Sequence, residues 1–400
     1  PDYLESRFGD ASRKIRLVSA WALVIFVTIY VSAQIDATGA AFESFLGWNY
    51  YVGALVGFVV VLAYCVSGGF LAVAWSDVFQ GALMFLGLVF LPIAGLIAAG
   101  GVGPMVEGLE AIDPTLMAWS GAEAWDLKAV FSAIGLGLIG LGFLGSPQIF
   151  VRFLALRDES EIKQGATVAI VWTVLADSGA VVTGMVGRHL LTQPGQELTS
   201  VLGNKGQDVL PLLVEHLLPA ILVGLFIAIV LSAIMSTIDS LLVVASSAVV
   251  RDYYQQVRRP ETPDDALVGM SRKVTWVLAA AALVIALGVA YLVPGRSVFW
   301  FVIFGWSGIA ATFCPTIILS LFWSKMTARG ALAAMIAGFI GVPLFKFGAS
   351  ALPTVGPYFD ALSELPPAFI LSFATGVLVS LTDSQGAPSN ASDDLDFASQ

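Results

Sequence analysis

Charge is scarce in this 400-residue chain: Asp, Glu, Lys and Arg make up 12% of it, against 58% hydrophobic residues and a mean hydropathy of +0.87. A water-soluble domain needs a charged surface, so that class is excluded. The chain reads as an all-α integral membrane protein, because helices satisfy their own backbone groups in lipid. Histidine is scarcer still. Only His189 and His216 occur, and no nucleophile–base or metal-ligand spacing stands near a carboxylate, which argues against an enzyme. The two cysteines, Cys65 and Cys314, lie in separate apolar runs, where buried thiols are expected and a disulfide has little support. Lys and Arg number 19 against 29 Asp and Glu, for a net charge of -10, so there is no basic footprint for nucleic acid. Neither an initiator methionine nor a signal peptide precedes Pro1, and PDYLESRFGDASRKIR is polar like a loop between spans. The chain is therefore expected to begin part way through a longer protein.

What the sequence does hold is long apolar runs. Ten are near bilayer-spanning length: 15–34, 50–67, 79–99, 129–150, 166–186, 220–250, 274–293, 298–323, 331–344 and 368–381. One membrane domain over residues 1–383 is expected, followed by an acidic, Ser-rich tail, 384–400, that lacks apolar periodicity and reads as disordered. The loops divide by charge. With the N-terminal end cytoplasmic, fourteen Lys and Arg fall on the inner side and five on the outer, and both ends are cytoplasmic. A multi-pass protein of the inner (plasma) membrane follows, with the lipid bilayer as its surroundings.

Three stretches break the apolar pattern. In SGGFLAVAWSDVFQGALMF, Gly68 and Gly69 are expected to end one helix, with Asp77 and Gln80 opening the next; a carboxylate there serves equally as a helix cap. In GLGLIGLGFLGSPQIFVRF, five glycines and Pro147 predict an interrupted helix, whose freed backbone groups need partners and commonly line a substrate site; close helix packing explains the glycines as well. The third stretch, 220–254, is roughly 45 Å long as a helix up to residue 250. It carries Ser232, Ser236, Asp239, Ser240, Ser246 and Ser247 on one face. Asp239 lies deep in the hydrocarbon, where a carboxylate must be paired, hydrated or bound to a cation. Ala233, Ser236 and Thr237 share a face at i, i+3 and i+4, so a carbonyl and two hydroxyls can converge on one small hard cation. A lone hydroxyl in a membrane helix more often bonds the carbonyl one turn back.

Four stretches in order, PDYLESRFGDASRKIRLVSA, SGGFLAVAWSDVFQGALM, LGFLGSPQIFVRFLAL and LSAIMSTIDSLLVVASSA followed by RDYY, resemble the sodium/solute symporters, most closely their sodium/proline branch. The resemblance implies a LeuT-type fold of inverted repeats with about ten transmembrane helices, lacking the first spans, core helices one and two. It implies sodium-coupled symport of a small solute, proline first, with Na+ as coupling ion and no other cofactor. Another amino acid, pantothenate, a carboxylate, or solute sensing without net transport stand as alternatives. The resemblance also assigns Ala233, Ser236 and Thr237 to sodium, and Asp77, Ser240 and neighbouring Asp239 to a possible second sodium site. Pro147, Phe143 and Ile139 are assigned to the solute. Ile139 and Phe143 depart from the tryptophan and tyrosine that proline transporters place along that face, removing a hydroxyl and an indole. With two core helices absent, a groove exposing both Ser236 and Pro147 is expected.

Overall fold

The computed structural model describes residues 1–10, 12–118 and 125–383, of which residues 64 and 66–72 by backbone alone. The region 384–400, expected to be a disordered tail, lies outside the described residues. Among the described residues every regular element is helical: α1 (Asp2–Phe8), α2 (Lys14–Leu46), α3 (Tyr50–Ala98), α4 (Val102–Ile112), α5 (Leu127–Leu138), α6 (Pro147–Leu154), α7 (Ser160–Leu191), α8 (Leu198–Leu202), α9 (Val209–Leu217), α10 (Ala220–Ser247), α11 (Asp264–Leu292), α12 (Val298–Phe322), α13 (Ala328–Pro343), α14 (Gly356–Leu362) and α15 (Leu365–Thr382). Among the described residues nine helical segments are long and apolar enough to cross a membrane, and the first part of α3, Tyr50–Ala63, is a further apolar stretch.

Local chemistry sets the boundaries. Asn49 accepts the N–H of Tyr51 at the start of α3, Asp126 that of Ala129 in α5, and Thr327 that of Gly330 in α13. Prolines stand immediately before α10 and α11. α2 stops at Gly47, whose φ of 62° suits a residue without a side chain.

The expected helix end at Gly68 and Gly69 is not there. Helical backbone runs unbroken through them, and Asp77 and Gln80 lie inside α3 instead of opening a new helix. In lipid an opened turn has no water to satisfy it, so the chain redirects by bending. The bend is required by neighbours. Ser44, in the last turn of α2, donates to Asp208 at 2.9 Å at the foot of α9, while Gly95 near the far end of α3 lies against Leu217 at the tip of α9. α9 is only about 13 Å long, and a straight 49-residue helix would be about 73 Å.

α12 is the axis of the bundle: 83% of its apolar window is buried, against 11% for the segment containing α5 and α6 and 17% for α7. Small residues allow this enclosure. A methyl on Gly308 would lie 1.9 Å from the Phe26 ring of α2, and one on Gly338 of α13 would lie 2.0 Å from the Ala311 carbonyl oxygen. Close backbone approach replaces the hydrophobic drive that lipid does not supply.

Ion pairs and hydrogen bonds tie the connections together at two ends of the bundle. At one end the Arg16 guanidinium holds Asp252 at 2.7 Å, Asp2 at 2.5 Å and Glu5, while Arg7 donates to the Ser320 carbonyl at 3.1 Å. This knot joins PDYLESR to RDYY. At the other end Arg296 holds Asp36, and Asn204 donates to the Gly295 carbonyl at 2.9 Å.

Candidate functional site

On α10 the hydroxyls of Ser236 and Thr237 donate to the Ala233 carbonyl at 3.1 and 3.2 Å. All three residues are half-buried, so three hard oxygens sit together on one turn with a face still open. The hydroxyls bond back to the backbone as isolated hydroxyls do. A small cation at that face would turn the same three oxygens into ligands. Further along α10 the polar stripe serves packing, since Ser246 is fully buried and its Oγ lies 2.6 Å from Ser271 Oγ on α11.

Asp77 and Ser240 meet across α3 and α10, with Ser240 Oγ donating to Asp77 Oδ2 at 3.3 Å. Between them stands Arg152 of α6. Arg152 Nη2 lies 2.7 Å from Asp77 Oδ2 and 2.8 Å from Ser240 Oγ, and Arg152 Nη1 donates to the Gln148 carbonyl at 2.5 Å. Its signal was legible: an arginine inside the apolar run IFVRF needs a carboxylate or carbonyl partner in a membrane. Asp77 Oδ1 is buried without a hydrogen bond. Asp239 lies one residue round the helix, fully buried, and accepts the N–H of Ser240 at 2.5 Å.

The glycine-rich span is interrupted. α5 gives way at Ile139 to a 3₁₀ stretch, Ile139–Leu144, and α6 starts afresh at Pro147. Two of its carbonyls have side-chain partners. Ile139 O accepts from Trp306 Nε1 at 3.1 Å, and Gly142 O accepts from Ser146 Oγ at 2.5 Å and from Cys314 Sγ at 3.3 Å. The single face expected for Ile139, Phe143 and Pro147 is lost, because at three residues per turn positions i and i+4 stand about 120° apart, and Pro147 belongs to a new helix. Phe143 is 62% exposed, its ring centroid 4.9 Å from that of Trp306. Pro147 lines a cleft of about 370 Å³ with Leu23, Phe150, Val244 and Ser247. Ser236 does not line it, so the expected shared groove is not formed there: Ser236 and Ser247 stand on nearly the same face of α10 but eleven residues, about 16 Å, apart along its axis, and the cleft lies at the Ser247 level.

A bundle with an interrupted helix, a converging oxygen set on a neighbouring span and no strand among the described residues defines a membrane transporter. The chain belongs to the Sodium:solute symporter family, which it matches over residues 1–338. It is similar to the high-affinity proline transporter PutP of Bacillus subtilis, 35% identical over 98% of this chain and 77% of that protein. It is also similar to the osmoregulated proline transporter OpuE of Bacillus subtilis, 34% identical over 95% of this chain and 73% of that protein. The sodium/proline symporter of Escherichia coli is 32% identical over 90% of this chain and 70% of that protein. Among solved structures, a Na+-coupled sialic acid symporter in a substrate-bound outward-open state superposes with a TM-score of 0.73 at 18% identity, covering 97% of this chain and 77% of that one. That likeness shows the fold, which is LeuT-type. The family is one of transporters and not of enzymes.

Proposed function

We propose that the protein is a sodium-coupled symporter of proline, working by alternating access, with sodium held at Ala233, Ser236 and Thr237. The α10 oxygen set carries this reading: a carbonyl and two hydroxyls within 3.2 Å, half-buried within a span, suit a small hard cation. The proline relatives support the solute. Sodium at α10 favours the solute-competent conformation by binding it more tightly than the other, which is the coupling. A potential of 100 mV adds about 2.3 kcal/mol per charge, nearly fifty-fold accumulation. Asp77 and Ser240, with Asp239 beside them, form a second cation site in which Arg152 stands as an internal counter-charge. Pro147, Phe143 and Ile139 border the solute. Residues 1–383 act as one membrane domain of the plasma membrane, with the Arg16 knot on the cytoplasmic side and both described ends there.

The test is radiolabelled proline uptake into proteoliposomes with and without a sodium gradient, for the protein and its Ser236→Ala, Thr237→Ala double variant. Uptake should require sodium, and the double variant should need about a hundredfold more of it, because two hydroxyl contacts to a charged partner are lost at about 1.5 kcal/mol each. Unchanged sodium dependence refutes the assignment. Phe143 and Ile139 offer the solute no polar side chain, so a competition panel of small zwitterions and carboxylates decides between proline and another compact solute.

A further inference from the structure

Trp306 belongs to α12, and its side chain reaches the interruption between α5 and α6. Its Nε1 donates to the Ile139 carbonyl at 3.1 Å, the first carbonyl released where α5 turns into the 3₁₀ stretch. Its ring lies flat enough on Gly142 that a methyl there would stand 2.4 Å from Cε2 and Cζ2. The Phe143 ring tilts against it at 56° with centroids 4.9 Å apart, and the Tyr30 ring of α2 meets it edge-on at 6.4 Å. Trp306 itself is 8% exposed, so it is a support behind Phe143, whose ring is the exposed one.

We propose that Trp306 is the positioning residue of the solute site, fixing the 3₁₀ stretch and the Phe143 ring and so setting which compact solute fits. This rests on the reading of Ile139, Phe143 and Pro147 as solute-bordering. The geometry explains how the site can work without a shared helical face. Ile139 and Phe143 point about 120° apart in a 3₁₀ turn, and the indole gathers both, one by its carbonyl and the other by its ring. The indole that position 139 lacks is thus present from another helix. With its N–H committed to the backbone, it gives the pocket shape and an aromatic wall without a free donor. Such a wall suits a small zwitterion whose remaining surface is an apolar ring, since the ring packs on Phe143 while its charged groups stay free for backbone or ion.

The experiment uses Trp306→Phe, which keeps a ring and removes the N–H, in proteoliposomes. The Michaelis constant and maximal rate are read for proline and for its six-membered-ring homologue pipecolate, with the sodium half-saturation read at saturating proline. The expected result is a proline KM raised about fivefold, the loss of one hydrogen bond, with a changed pipecolate-to-proline ratio and a sodium requirement within twofold of the parent. A lower maximal rate with unchanged KM and ratio would mean a merely structural tryptophan and overturns the proposal. Hydrogen exchange of the backbone amides over 139–146 gives a readout that needs no solute. Exchange there should rise severalfold in Trp306→Phe with α10 unchanged, and unaltered exchange overturns the proposal too. A parent protein that fails to take up proline while the exchange result holds would sink the proline reading and leave the positioning role standing.

Discussion

Replacing Arg296 with alanine strips a fully buried carboxylate of its counter-charge. Asp36 sits inside α2 with no exposed surface, and its Oδ1 accepts Tyr50 Oη at 2.6 Å, Arg296 Nε at 2.9 Å and Arg296 Nη2. Its Oδ2 is buried without a partner. The guanidinium also lies 5.0 Å over the Tyr50 ring, and its side chain is only 16% exposed. Arg296→Ala leaves the carboxylate with the tyrosine hydroxyl alone, and breaking a buried pair from one side costs about 3–5 kcal/mol. Neutralising the acid in the same protein, as Asp36→Asn with Arg296→Ala, removes the stranded charge and should cost less than the arginine change alone. A double-mutant cycle, read by reversible unfolding in mixed detergent micelles, should therefore show a coupling of about 2–3 kcal/mol. Costs that simply add, or an Arg296→Ala cost below about 1 kcal/mol, would refute the view that this pair pins the α11–α12 connection to α2 and α3.

Arg152→Gln should make the protein more dependent on sodium for stability, because Asp77 and Ser240 lose the cation between them; equal sodium-induced shifts in melting temperature for variant and parent would count against a cation site there. Gly338→Ala should cost about 2 kcal/mol or more, since its methyl would meet the Ala311 carbonyl oxygen at 2.0 Å and backbone cannot swing aside; wild-type thermal stability would contradict the packing described. Asp10 holds the start of α2 through the N–H of Ile15 at 2.7 Å and both groups of Ser12. Burial pushes its carboxyl up, but those hydrogen bonds outweigh it and leave it below the ordinary value of 3.8. The ionised form is the one that caps, so the contribution, about 1 kcal/mol, is present above the ordinary value and lost as pH falls through the lower, folded one. The stability gap between parent and Asp10→Ala should close only in that acid range, and a gap independent of pH would refute the cap.

Much of this protein is legible without coordinates, and the legible parts share a cause. Composition forces helices, because lipid leaves a backbone no other partner, and the lengths of the apolar runs count the spans. The oxygens of Ala233, Ser236 and Thr237 converge because residues three and four apart on a helix are neighbours wherever the helix packs. Glycines and Pro147 announce the interruption because they weaken any helix locally. The single face drawn through Ile139, Phe143 and Pro147 fails for the same local reason: it assumes an α-helical turn in a stretch that glycine had already loosened into 3₁₀.

What only the tertiary structure decided is who stands opposite whom. Arg152 reaches Asp77 across 75 residues, Trp306 reaches Ile139 across 167, and Arg296 reaches Asp36 across 260. Nor does any residue pattern announce that α3 continues as helix where a loop was expected. A helix surrounded by lipid is apolar on every side, so its periodicity carries little trace of its neighbours. Each of these pairings exists because a charge or a freed carbonyl in a medium without water must find a partner. Which partner it finds is set by the order in which the spans pack, and that order belongs to the fold.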